Sequence, residues 1–111
     1  MLADPSAIRA LAALLSARAD EVRAEGDRLI GRSVATAWIG RAGDAMRTAV
    51  ADIVNEMRVA AELHDNAATA LLHHADAVET TFRLAAEAAA KADDLAHDAG
   101  HLLHDLWRAA A

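Results

Sequence analysis

Cysteine, tyrosine and proline are the residues that this sequence lacks or nearly lacks. The chain has no cysteine and no tyrosine, and its only proline stands at position 5. The absence of cysteine excludes disulfide frameworks and thiolate chemistry. Seventeen acidic residues outnumber eleven basic ones, for a net charge of −6. No basic cluster occurs, and we therefore expect no nucleic-acid partner.

Long uncharged runs are missing as well. Because no stretch of about 18 residues is free of charge, the sequence predicts no stable membrane insertion. Residues 1–5 have neither the positive nor the apolar segment of a secretory signal peptide. If the chain is exported, we expect a route that does not need a cleavable signal.

Aromatic residues are few, and this limits the core that the chain can build. Only Trp38, Phe82 and Trp107 are aromatic, and alanine supplies much of the 55% hydrophobic fraction. Burial contributes about 25 cal/mol per Å² of apolar surface, so small side chains yield a thin core. At 111 residues we expect one domain, residues 1–111, whose core a partner completes.

The first helix is predicted over about residues 5–30. Asp4 suits the N-cap and Pro5 the first helical position, while Gly31 is a plausible stop. Apolar or small residues recur at alternating spacings of four and three, the pattern of a helix that packs against another helix. These positions are Ile8, Ala12, Leu15, Ala19, Val22, Gly26 and Leu29.

A packed turn is predicted over about residues 31–43, where the helical pattern stops. Trp38 lies in its centre, and Gly40 and Gly43 permit the backbone to pass close to a neighbour. Asp44 favours the positive end of a following helix.

The second helix is predicted over about residues 44–108. Fifteen of eighteen positions in a four-three alternation from Met46 to Leu106 are apolar, the exceptions being His64, His74 and Thr81. A break near residues 64–66 or at Gly100 would turn the C-terminal part into a third helix, and the sequence leaves this open. The predicted core or dimer seam comprises Leu15, Val22, Leu29, Met46, Val50, Ile53, Met57, Leu71 and Val78.

The segment Trp38-Ile39-Gly40, placed between two helical seams in a chain of this length, resembles the WXG (ESAT-6-like) family of small type VII (ESX) secretion proteins of actinobacteria and other Gram-positive bacteria. The resemblance covers about residues 5–87. It implies an all-α helix-turn-helix hairpin that pairs into a four-helix-bundle dimer, with its own copy or a sister WXG-like protein. It also implies secretion through the type VII machinery, with a cytoplasmic stage before export.

The family's export signal combines the Trp-x-Gly turn, here Trp38 and Gly40, with a Tyr-x-x-x-Asp/Glu tail on the partner. In this chain the nearest counterparts of the tail are Phe82 with Glu87, one residue too far, and His101 with Asp105, where His replaces Tyr. The resemblance therefore implies that a partner carries the tail. An intracellular adaptor or chaperone for a secreted toxin is an alternative role.

Histidines near the C-terminus suggest a second alternative, a small di-iron or zinc four-helix protein. His97, His101 and His104 share one helical face, and imidazoles at i and i+4 can hold one metal ion. A solvated face explains the same spacing, so we expect no metal and no cofactor. No nucleophile elbow or phosphate loop occurs, and the sequence predicts a non-enzymatic protein.

Overall fold

Two helices make up the part of the chain that the computed structural model describes, residues 4–110. Helix α1 spans Pro5–Ala35 and helix α2 spans Gly40–Ala110, with no strand in the described range. Ion pairs between the helices join Arg23 to Asp65 and Asp27 to Arg58. As numbers rise on α1 they fall on α2, so the helices are antiparallel. The all-α helical hairpin predicted from the sequence is confirmed.

The start of α1 follows from its cap. Asp4 accepts hydrogen bonds from the backbone N–H and the hydroxyl of Ser6, and Pro5 occupies the first turn. The hydroxyl bond and then the backbone bond lower the pKa of Asp4. This contribution of the cap is present above the ordinary pKa of an aspartate and is lost as the pH falls through the lowered value.

Both helices are longer than predicted, and the turn contains only residues 36–39. Helix α1 continues through Gly31 because Ser33 is buried at the next position of the seam, where its hydroxyl donates to the Ile30 carbonyl at 2.9 Å. Helix α2 begins at Gly40 because this residue adopts φ +79°, a conformation that favours glycine.

The break considered near residues 64–66 does not occur. His64 and Asp65 lie within α2, where Nδ1 of His64 lies 2.8 Å from the Ala60 carbonyl oxygen and Asp65 pairs with Arg23. Gly100 is also helical. One continuous helix therefore replaces the possible third helix.

Small residues form the contact between α1 and α2. Buried positions recur every seven residues on each helix, and we call them the inner layer: Ala12, Ala19, Gly26 and Ser33 on α1, and Val54, Ala61, Ala68 and Ala75 on α2. Ile8 and Val78 are buried as well, outside this seven-residue repeat. A Cβ atom added to Gly26 would lie 3.3 Å from Cγ1 of Val54. The backbones thus approach closely, and Val54 is the largest side chain that the hairpin buries completely.

The described chain divides into two compact units, with the division between Ala75 and Asp76. The first unit is the hairpin of α1 and the N-terminal part of α2. The second is the C-terminal part of α2, which we call the C-terminal segment. Among its described residues only Val78 is buried.

We expect Val54→Ala to lower the free energy of unfolding by about 1.5 kcal/mol, since it removes two buried methyl groups. The matched control is Val59→Ala on the same helix, where the side chain is 58% exposed. There we expect a change within about 0.5 kcal/mol. Urea denaturation followed by circular dichroism measures both, and equal losses would contradict the assigned core.

Candidate partner-binding face and turn

Large apolar side chains of the hairpin lie on one face beside the inner layer. On α1, Leu15, Val22 and Leu29 each follow an inner-layer residue by three positions, and all three are only half-buried. Met57 and Leu71 stand in the same relation on α2. Val50 precedes the inner-layer residue Val54 by four positions, on the same side of the helix, and Met46 and Ile53 lie next to it. Ile53 is 50% exposed and Met46 is half-buried. We call these eight residues the open face.

The opposite edge of the inner layer is polar. Arg23, Arg58 and Asp65 each follow an inner-layer residue by four positions, and this offset places a side chain on the other side of the helix axis from an offset of three. Arg23 pairs with Asp65, and this hydrogen bond raises the pKa of the guanidinium. The Asp27–Arg58 pair lies at 3.6 Å. Both pairs are exposed to solvent, so they add little to stability and keep this edge of the hairpin hydrated.

A groove of about 360 Å³ opens along the polar edge. Its lining includes Ala12, Ser16, Ala68 and Asp65. Two inner-layer alanines, Ala12 and Ala68, contribute to this lining, and the groove is open to solvent beside the contact between the two helices.

The structure places the predicted seam residues as follows. All but Val78 belong to the open face, and Val78 is buried in the C-terminal segment. The fully buried positions of α2 that the sequence reasoning missed, such as Val54 and Ala61, directly follow predicted positions Ile53 and Ala60. Apolar residues occupy the predicted row, such as Ile53 and Ala60, and also the row that follows it, Val54 and Ala61. The spacing of apolar residues therefore did not indicate which of the two rows α1 covers.

The turn fixes the backbone of Trp38 and leaves its indole in solvent. Nη2 of Arg47 donates hydrogen bonds to two carbonyl oxygens of the turn. One is that of Trp38, and the other is that of Thr36, at 3.2 Å. The Trp38 side chain is 60% exposed and Ile39 is 89% exposed. In the single chain the indole therefore does not fill the core, and the end of the hairpin presents two large apolar groups.

Gly43 is the second glycine that the turn requires, after Gly40. A Cβ atom at this position would lie 2.6 Å from the carbonyl oxygen of Trp38 and 3.1 Å from Nη1 of Arg47. The Trp38 carbonyl rests directly against the first turn of α2. Sequence reasoning found the glycine but missed Arg47, whose only signal is a basic residue four positions further along the helix.

The candidate tail residues lie apart from the turn in sequence and are all exposed. Phe82, Glu87, His101 and Asp105 belong to the C-terminal segment. The structure brings His101 next to His97, with their Nε2 atoms 3.0 Å apart and their rings nearly perpendicular. His104 lines the same shallow surface groove.

Two other histidines, His64 and His74, lie apart from this pair on α2. In the described residues, no group of three or more His, Cys, Asp or Glu side chains could hold a metal ion. His74 is exposed and His64 is half-buried in the hairpin.

No helix in residues 4–110 combines the length and apolarity that crossing a membrane needs.

We expect Gly43→Ala to destabilise the hairpin by more than about 1 kcal/mol, because the new methyl group overlaps the Trp38 carbonyl. Gly31→Ala is the control, since nothing lies within 4 Å of an added Cβ atom there. That change should stabilise the helix by about 0.5–1 kcal/mol. Thermal unfolding measures both, and a stabilised Gly43→Ala variant would refute the close contact at the turn.

Comparison of the chain with protein-family models, with curated proteins and with solved structures finds no match.

Proposed function

We propose that this chain is a non-enzymatic, WXG-like pairing protein whose open face packs against a second helical hairpin, and that the pair is exported by, or serves, a type VII secretion system. The observation that carries the proposal is the distribution of side-chain sizes. Alanine, glycine, serine and one valine make up the buried inner layer, whereas leucine, valine, isoleucine and methionine line the open face.

That distribution is the reverse of what a self-sufficient hairpin needs. Burying a Leu, Val or Met side chain contributes about 1.5–3 kcal/mol relative to leaving it exposed, far more than an alanine methyl group contributes. A second hairpin laid on the open face would complete the burial of its eight side chains, seven of which are half-buried in the single hairpin, and would add them to the core. The ion pairs of the polar edge stay in water in this arrangement.

The C-terminal segment supports the same proposal. Starting from the buried residues Ala75 and Val78, apolar residues recur along this segment at alternating spacings of four and three, and no polar residue interrupts the series. The members of the series after Val78 are Phe82, Ala85, Ala89, Ala92, Ala96, Ala99, Leu103 and Leu106, all of them exposed. A seam of this regularity is typical of helices that pack against another helix. We infer that the partner also covers this segment.

The type of partner is a helical hairpin, which is either a second copy or a sister chain. Antiparallel helices that each carry a buried row of small residues and a second, apolar row three positions after it have the packing geometry of a four-helix bundle. The exposed Trp38 at the turn end remains accessible in such a bundle, as a surface for recognition by the secretion machinery.

We expect the chain, alone or with its sister chain, to have the mass of a dimer in sedimentation equilibrium. Ile53→Asp should raise the dissociation constant at least tenfold, because it places a charge on the open face. The control is Val59→Asp, which makes the same change on the same helix at a site with similar exposure but off the open face. A monomeric chain under all these conditions, or equal weakening by both variants, would contradict the pairing face.

The export role has its own test. We expect Trp38→Ala to reduce secretion at least tenfold in a bacterium with a type VII system while the dimer mass stays unchanged, because the turn backbone does not depend on the indole. Ile39→Ala removes the neighbouring exposed side chain and should be exported normally. Normal export of Trp38→Ala would refute the recognition role and leave the pairing face unaffected.

A further inference from the structure

The C-terminal segment places two histidine side chains in direct contact on its surface. His97 and His101 are one helical turn apart on α2, and their Nε2 atoms lie 3.0 Å from each other. The ring centroids are 4.5 Å apart with an interplanar angle of 85°. Because both Cα atoms belong to one continuous helix, only side-chain rotation is needed to direct the two nitrogens toward a common point.

We propose that His97 and His101 bind a divalent transition-metal ion, copper(II) or nickel(II), on the surface of the C-terminal segment. Two imidazoles one turn apart on a helix can share a divalent ion, and imidazole nitrogen suits both copper and nickel. Among first-row divalent ions such nitrogen sites bind copper(II) most tightly, and nickel(II) stands next below copper(II) on the rising side of that order.

Metal binding must displace the proton that the two Nε2 atoms share. In the hydrogen-bonded pair one ring donates Nε2–H to the other Nε2. When the metal binds, the donor ring passes this proton to solvent and takes one at Nδ1, so that both rings stay neutral and both Nε2 lone pairs face the ion. Protonation of either ring removes a ligand, and the affinity therefore falls as the pH is lowered.

Space for the hydrated ion comes from Gly100. No atom lies within 4 Å of a Cβ atom built there, and Gly100 lines the same groove as His97, His101 and His104. The two imidazoles are the protein ligands, and water molecules fill the remaining positions. His104 adds a third imidazole at the edge of this groove, where it can accept a hydrogen bond from a metal-bound water.

The site is independent of the pairing face. His97 and His101 fall outside the apolar spacing that includes Ala96, Ala99 and Leu103, and the partner in our functional proposal covers that spacing. Metal binding is therefore expected in the monomer and in the dimer alike. Failure of either proposal leaves the other one intact.

Isothermal titration of nickel(II) and copper(II) chloride into the full chain at pH 7.5 tests the proposal. We expect one ion per chain with a dissociation constant in the micromolar range or below, and at least tenfold weaker binding in His97→Ala and in His101→Ala. The controls are His73→Ala and His74→Ala, which remove one imidazole each from adjacent positions that diverge on the helix and should bind as the parent does.

Copper(II) electron paramagnetic resonance provides the second measurement, since it distinguishes two coordinated imidazole nitrogens from one. Two in the parent and one in each His97 or His101 variant would support the chelate. Alanine is a good helix former, so helix content by circular dichroism should not change in any variant. No binding at 100 μM metal, or equal affinity of the parent and His97→Ala, would overturn the proposal.

Discussion

The close approach of α1 and α2 is the constraint on which the rest of this structure depends. It is possible only because alanine, glycine or serine stands at nearly every seventh position of the inner layer, and Val54 packs against Gly26 where a side chain would not fit without adjustment. Two helices in such close contact have no room for leucine between them. The leucines, valines and methionines of the same seam are therefore displaced to one side, where they form the open face.

The polar edge and the turn depend on the same constraint. Ion pairs such as Arg23–Asp65 lie on the side of the inner layer opposite the large apolar residues, so the hairpin has one wet and one apolar edge. Because the two helices lie close together, the four residues 36–39 are enough to connect them. Arg47 and Gly43 hold the Trp38 carbonyl against α2, while the indole projects into solvent. Backbone and side chain of this residue thus have separate roles.

Much of the fold could be predicted from the sequence, and the limits have physical causes. The four-three spacing of α1 indicated four of its five buried positions, Ile8, Ala12, Ala19 and Gly26, because apolar and charged residues alternate clearly there. Helix α2 carries apolar residues in two adjacent rows, so spacing alone selected Ile53 where α1 covers Val54. The end of α1 was predicted at Gly31, but the helix continues to Ala35 because Ser33 packs in the core. A glycine inside a helix costs only about 1 kcal/mol relative to alanine, which is too little to end the helix there.

The candidate site was predictable in kind but not in detail. Trp38 and Gly40 stood out in the sequence, whereas the clamp by Arg47 depends on a long side chain reaching back across the turn. The residues of the open face were predicted as a seam from their spacing. Their partial exposure in the hairpin could not be predicted, because it depends on the small inner-layer side chains making the closest contact between α1 and α2. The pairing of His97 and His101 was visible from their spacing, and the 3.0 Å separation was not.

Solvent access to the open face in the assembled protein tests the central claim most directly, and the absence of native cysteine makes the measurement clean. A single cysteine is introduced by Ile53→Cys or by Val59→Cys, and its maleimide labelling rate is measured under native and denaturing conditions. The account predicts that position 53 is labelled much more slowly than position 59 in the native protein, and that both are labelled at the same rate once unfolded. Equal, fast labelling of both positions in the native protein would contradict it.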